Sequence, residues 1–218
     1  MREKNLIKTI TLVLLYLCWV VFSSLFINLS VFKLNNNIIS LYEFLSTFLL
    51  LIIAFLSYKS ELIDEFKKLD KKSIKLVIKN FIVIFIIMNF FNILSYLILD
   101  DNIVMSLNNF GISIIKTNNL FLIIRLIIIS PIIEEFIFRK SVRKIIDNNM
   151  FFILFSGLLL GFLYVLVQVP SIIGILSSLS YIFVGLYLSY IYTKTNNVYI
   201  NILSRIIYNL LIIMVVLI

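Results

Sequence analysis

Seven long apolar runs dominate this chain and restrict what it can fold into. Each is close to the roughly 20 residues that a helix needs to cross the hydrocarbon core of a bilayer. Hydrophobic residues make up 62% of the sequence, whereas soluble domains average about 45–50%. The pattern predicts an all-α, polytopic transmembrane helix bundle of about seven helices. The runs are residues 6–29, 39–58, 76–99, 120–138, 150–169, 172–192 and 198–218.

The 218 residues leave little room for anything beyond these helices. We therefore expect a single integral membrane domain, in which residues 1–117 form N-terminal transmembrane helices without a diagnostic motif. Residues 100–119 are rich in Asn and Ser and are predicted to form a loop or a re-entrant segment. The first run follows basic residues, but it is too long for a signal peptide, so we predict a retained first helix.

The net charge is +8, and the basic residues lie mainly in the short loops between the apolar runs. Cytoplasmic loops of membrane proteins carry an excess of Lys and Arg. With the N-terminus inside, the outer loops hold only Lys33 and Lys116. The sequence thus predicts a multi-pass cell-membrane protein with a cytoplasmic N-terminus, and no nucleic-acid partner is expected. The abundance of Ile, Asn and Lys favours an AT-rich bacterial genome, and hence the bacterial plasma membrane.

The longest charged segment, residues 59–75, mixes lysines with acidic residues. It is predicted to be a solvated amphipathic loop or a short helix on the inner membrane surface. Attraction of its lysines to anionic lipid, at about 1 kcal/mol per nearby basic residue, is the alternative.

Histidine is absent from the chain, and Cys18 is its single cysteine. This excludes His-ligated zinc, HExxH chemistry and nucleophiles activated by histidine. No disulfide framework is possible within one chain. We therefore predict neither a metal nor another cofactor.

Glu134 and Glu135 stand side by side inside the fourth apolar run, and Arg139 follows four residues after the second. A charge at bilayer depth costs roughly 2.5–3.5 kcal/mol on insertion scales, and its default interpretation is functional. Glu135 and Arg139 lie on one helix face with the acid before the base, which is the favourable order. A purely structural ion pair at the helix end is the alternative.

Further polar residues within the apolar runs are Arg125, Tyr164, Arg205 and Asn209. Arg205 and Asn209 are four residues apart, so both lie on one side of the seventh helix. Polar groups in lipid must find partners inside the protein, so we expect this side to face the Glu pair. Arg125 is predicted to snorkel or to pair with a carboxylate, and Tyr164 to be an interior aromatic residue.

The glutamate motif resembles that of the CPBP family of intramembrane proteases, also called Abi or CAAX-processing and bacteriocin-processing proteins. The family motif E-E-x-x-x-R is matched by Glu134, Glu135 and Arg139. The second motif, F-x-x-x-H, corresponds to residues 160–164, so Tyr164 stands where the family has histidine.

The third family motif, H-x-x-x-N, aligns with Arg205 and Asn209, and arginine replaces its histidine. Gly185 and the turn at residues 192–197 resemble the glycine and the polar turn of the family. The resemblance covers residues 118–212, which we describe as the CPBP-like region.

The resemblance implies a glutamate-type intramembrane peptidase, a hydrolase whose carboxylate activates a water for attack on a peptide carbonyl. Glu134 would be the general base, Arg139 would hold Glu135, and Asn209 would donate to the oxyanion. A positioned proton-transfer group contributes about 10²–10⁴-fold, so Tyr164 and Arg205 would have to compensate for both missing histidines.

Two functions follow from this comparison. One is an endopeptidase with a divergent site that cleaves membrane-associated peptides or proteins. The other is a catalytically inactive CPBP-like protein, or pseudoenzyme, that binds such a partner in bacteriocin immunity or regulation. Both place the protein in contact with the lipid bilayer. A solute carrier is a third class, but internal repeats are lacking.

Overall fold

The computed structural model describes residues 2–28, 36–98, 120–167 and 172–217, and seven helices account for nearly all of these residues. The predicted all-α bundle is therefore confirmed. The helices are α1 (Arg2–Asn28), α2 (Asn36–Lys67), α3 (Lys71–Ile98), α4 (residues 120–145), α5 (Asn149–Val167), α6 (Ile172–Thr195) and α7 (Val198–Leu217). The predicted loop or re-entrant segment at residues 100–119 lies outside the described residues.

Four of the described helices are long and apolar enough to cross a membrane by length and composition. The qualifying spans are Leu6–Ser23 in α1, Ile38–Lys67 in α2, Lys71–Ser95 in α3 and Val198–Val215 in α7. Helix α5 contains a shorter apolar stretch, Asn149–Leu163. A chain with several such helices is a multi-pass membrane protein, because their apolar outer faces need lipid around them.

Helix α4 changes its winding twice along its length. Two π-helical segments, Arg125–Ile129 and Phe136–Ser141, enclose the α-helical segment Ser130–Glu135. The flanking residues keep right-handed helical dihedral angles, so the helix continues through each junction. Single π-helical turns inside α-helices often occur at functional sites, and here they set the direction in which Glu134 and Glu135 point.

Helices α5 and α6 approach each other closely because glycines face across their crossing. A Cβ atom added to Gly185 would lie 2.9 Å from the Cα of Gly157, and one added to Gly161 would overlap Ile182. Gly157 and Gly161 are separated by four residues, the spacing that lets membrane helices pack backbone against backbone.

Most of the charged residues lie at one end of the bundle, which is called the basic end here. Helices α2, α4 and α6 end there, and helices α3, α5 and α7 begin there. Lys140 of α4 contacts Glu65 of α2 at 2.5 Å and Glu61 at 3.3 Å, and Lys144 also pairs with Glu61. Glu65 also accepts a hydrogen bond from the backbone N–H of Val198, at 2.8 Å. Helices α2, α4 and α7 are thus tied together here.

This network corrects the prediction for residues 59–75. They are not a separate solvated loop, because α2 continues to Lys67 and α3 begins at Lys71. Glu65 is buried, and its pairing with Lys140 stabilises the last turns of α2 against α4.

The short turn between α2 and α3 is fixed by Asp70, whose Oδ1 accepts hydrogen bonds from the backbone N–H and the hydroxyl of Ser73, both at 2.8 Å. These bonds lower the pKa of the Asp70 carboxyl.

Replacing Gly185 with alanine is expected to destabilise the protein by about 1–3 kcal/mol, the usual cost of overpacking. The added methyl would meet the backbone of Gly157, which cannot rotate away. The melting temperature in detergent measures the effect. Leu158→Ala, at an exposed position of α5, is the control and should change it little. Equal melting of wild type and Gly185→Ala would contradict this description of the crossing.

Candidate functional site

Glu134 and Glu135 occupy the end of the segment Ser130–Glu135 in α4 and point into the bundle. Glu135 has no exposed surface, whereas Glu134 retains 8% of its surface. Two adjacent carboxylates with this little access to water need cations or donors close by. The surrounding helices supply them.

Arg205 of α7 contacts both carboxylates. Its Nη2 donates to Glu134 Oε2 at 2.5 Å, and its Nη1 donates to Glu135 Oε1 at 3.2 Å. The expected contact between the seventh helix and the Glu pair is therefore confirmed for Arg205. The planar guanidinium bridges the two side chains as a fork of donors, a geometry that arginine provides and histidine does not.

Arg139 holds the other side of Glu135, and its Nε lies 3.1 Å from Glu135 Oε2. The rest of its guanidinium reaches two neighbouring helices. Nη1 donates to the hydroxyl of Ser156 in α5 at 2.7 Å, and Nη2 donates to the carbonyl of Gly185 in α6 at 3.3 Å. The side chain of Arg139 has no exposed surface. It therefore fixes Glu135 to the same α5–α6 crossing that the glycines create.

Asn201 completes the surroundings of Glu135. Its Nδ2 donates to Glu135 Oε2 at 3.2 Å and to the carbonyl of Leu188 at 2.9 Å. Sequence reasoning missed this residue and Ser156. The available signal for Asn201 was its spacing, because Asn201, Arg205 and Asn209 follow one another at intervals of four residues along α7.

The cluster of Glu134, Glu135, Arg139 and Arg205 contains two carboxylates and two guanidinium groups, so its formal charge is zero. Removing ions from water is expensive unless each is paired and hydrogen-bonded. A neutral histidine at position 205 would leave one excess negative charge on the carboxylates. Arginine there neutralises Glu134, the residue to which the family resemblance assigns the role of base.

Asn209 does not join this cluster, contrary to expectation. Its Nδ2 donates to the backbone carbonyl of Leu126 at 2.9 Å. In the π-helical segment the N–H of Ser130 bonds to the carbonyl of Arg125, five residues earlier. By that pattern the carbonyl of Leu126 would need the N–H of residue 131, which is proline and has none. Asn209 supplies the missing donor, since a buried carbonyl needs a partner.

Arg125 forms a second buried ion pair, with Glu43 of α2. Of the two predicted alternatives for Arg125, pairing with a carboxylate is the one observed. Glu43 is buried. This pair joins α2 to the same π-helical segment that Asn209 joins to α7.

Tyr164 lies in α5, but its side chain is outside the described residues. In the described part of the chain, no three His, Cys, Asp or Glu side chains come together in a way that could hold a metal ion. The absence of a cofactor stays a prediction, as do the catalytic roles of Glu134, Glu135, Arg139, Tyr164, Arg205 and Asn209.

The family described as Rce1-like, type II CAAX prenyl endopeptidase, matches residues 116–211. This span begins just before α4 and ends in α7, so it contains every residue of the Glu–Arg cluster. No curated protein and no solved structure matches the chain. This match, which covers 96 of the 218 residues, confirms the resemblance to the CPBP/CAAX protease family that was seen in the sequence.

Arg205→Leu is expected to cost about 3–5 kcal/mol, the loss seen when one partner of a buried ion pair is removed. It would leave two carboxylates facing Arg139 alone. The double variant Glu134→Gln/Arg205→Leu restores a neutral cluster and should recover part of this loss. Melting temperatures of both single variants and the double variant measure the coupling. If the stability loss of the double variant equals the sum of the losses of the two single variants, the side chains of Glu134 and Arg205 do not interact.

Asn209→Ala is expected to cost about 1–3 kcal/mol, because the carbonyl of Leu126 loses its donor. The cost should be smaller when Pro131 is also replaced by alanine, whose N–H can bond to that carbonyl within the helix. Thermal unfolding of the two single variants and the double variant tests this. An equal cost of Asn209→Ala in both backgrounds would mean that Pro131 is not the reason for the contact.

Proposed function

We propose that this protein uses the CPBP scaffold to bind a membrane-associated peptide or protein without hydrolysing it. The observation that carries the proposal is the contact between Arg205 and Glu134. The role that we propose for this binding is bacteriocin immunity or regulation. The distribution of basic residues supports a bacterial plasma-membrane location with the N-terminus and the basic end in the cytoplasm.

A general base needs a lone pair directed at the water whose proton it accepts. Glu134 Oε2 instead accepts a bond from the cationic Arg205, and Glu135 is bound by Arg139, Arg205 and Asn201. Asn209 stands at the expected oxyanion position, but its amide donates to the carbonyl of Leu126.

A divergent endopeptidase is the second candidate, and the unequal burial of the two carboxylates favours it. Glu135 is anchored by Arg139, so Glu134 can exchange Arg205 for a water while Glu135 stays in place. Glu134 would then take a proton from that water while the water oxygen forms a bond to the carbonyl carbon of the peptide. The proton would pass to the leaving amine as the C–N bond breaks, and Arg205 would donate to the oxyanion.

Cleavage of a panel of membrane peptides, including prenylated CAAX peptides, separates the two candidates. We expect wild type and Glu134→Gln in detergent or nanodiscs to show equal, background turnover. The variant Tyr164→His/Arg205→His, which restores both family histidines and frees Glu134, should show turnover that disappears when Glu134→Gln is added. Melting temperatures confirm that each variant is folded.

If the wild type cleaves a peptide and Glu134→Gln abolishes this cleavage, the protein is an endopeptidase and the binding proposal is overturned. For binding itself, complementation of a deletion strain is the measurement. Glu134→Gln should retain the phenotype of wild type, because the proposed function needs no general base. A folded Glu134→Gln protein that fails to complement would contradict a purely non-catalytic role.

A further inference from the structure

Four lysines form a stripe on the outward face of α3 near its start. Lys71, Lys75 and Lys79 are spaced by four residues, and Lys72 lies about 100° around the helix from Lys71. All four are exposed, whereas the opposite face, with Ser73, Val77 and Asn80, is buried against the bundle. From Lys71 to Lys79 the stripe covers about 12 Å of helix. These four residues are called the lysine stripe.

Within the described part of the protein, no ion pair joins a lysine of the stripe to a carboxylate, although the charge of Lys72 helps to lower the pKa of the nearby Asp70 carboxyl. Three carboxylates near the basic end are bonded elsewhere. Glu61 and Glu65 pair with Lys140, and Glu61 also pairs with Lys144. Asp70 accepts both hydrogen bonds from Ser73. Lys71, Lys75 and Lys79 therefore present positive charge to whatever surrounds α3.

Apolar residues flank the lysines on the same surface. Ile74 is 61% exposed and Ile78 is 52% exposed. Helix α3 is one of the spans long enough to cross the membrane, and the span starts at Lys71. The stripe thus begins at the membrane surface and runs toward the hydrocarbon region, where Lys79 must extend its side chain back toward the headgroups.

From this arrangement we propose that the lysine stripe binds the headgroups of anionic phospholipids. The ammonium groups would contact lipid phosphates, while Ile74, Ile78 and the lysine alkyl chains would pack along the acyl chains. Anionic lipid attracts basic residues close to the membrane surface. An acidic soluble protein would match the charges but not the exposed isoleucines at the depth of Lys79. This proposal does not depend on whether the Glu–Arg cluster is catalytic.

Native mass spectrometry of lipid retention tests the proposal, with protein released from nanodiscs of phosphatidylcholine and phosphatidylglycerol. The test variant is Lys71→Gln/Lys75→Gln/Lys79→Gln. The control is Lys59→Gln/Lys68→Gln/Lys194→Gln, which removes the same charge from exposed positions outside the stripe. We expect wild type and control to retain phosphatidylglycerol preferentially, and the test variant, which lacks three of the lysines, to lose on the order of 100-fold of that preference. Raising the salt concentration should weaken it further.

Three results would overturn the proposal. The first is no preference for phosphatidylglycerol in wild type. The second is an equal change in test and control variants, which would indicate a general effect of net charge. The third is stripe-dependent binding of an acidic peptide such as polyglutamate in phosphatidylcholine nanodiscs, without a lipid preference. Because the replaced lysines are exposed, unchanged melting temperatures should accompany every variant.

Discussion

The bundle depends on balancing charge in a place where water has little access. Glu134 and Glu135 can lie inside apolar helices only because Arg139 and Arg205 neutralise them from opposite sides. The four side chains connect α4 to α7 directly, and Arg139 extends the connection to α5 and α6. Removing one charge would leave its partner buried without compensation, which is far more costly than losing a surface ion pair. The cluster is therefore a structural necessity as well as the candidate site.

The same charges determine what Glu134 is able to do chemically. A water-activating glutamate needs to be held in place and yet have a free lone pair. Arg139 and Asn201 hold Glu135 firmly, which meets the first requirement. Arg205 occupies an oxygen of Glu134, which opposes the second. The arginine at the third family motif thus stabilises the scaffold and, in the proposed non-catalytic role, takes the place of a water at Glu134 Oε2.

Much of the fold could be predicted from the sequence, because a helix that crosses lipid must be long and apolar, and such runs are visible without a structure. The contact of Arg205 with the Glu pair was predictable for a related reason, since a charge in lipid needs an opposite charge. Ser156 gave no comparable signal, and Asn201 gave only its four-residue spacing from Arg205, because neutral polar residues are tolerated at many positions in membrane helices. The partner of Asn209 depends on the π-helical winding of α4 and on the missing N–H of Pro131, and a pattern of residue types does not reveal helical winding.

The close crossing of α5 and α6 has a consequence for the chemistry of the cluster. The carbonyl of Gly185 accepts a bond from Arg139, and Gly185 also sits against the Cα of Gly157. The orientation of the arginine is therefore coupled to the separation of the two helix backbones. A change in lateral pressure or membrane thickness, or an acyl chain inserted between α5 and α6, would change the distance between these helices. The displacement would pass from Gly185 to Arg139 and from Arg139 to Glu135.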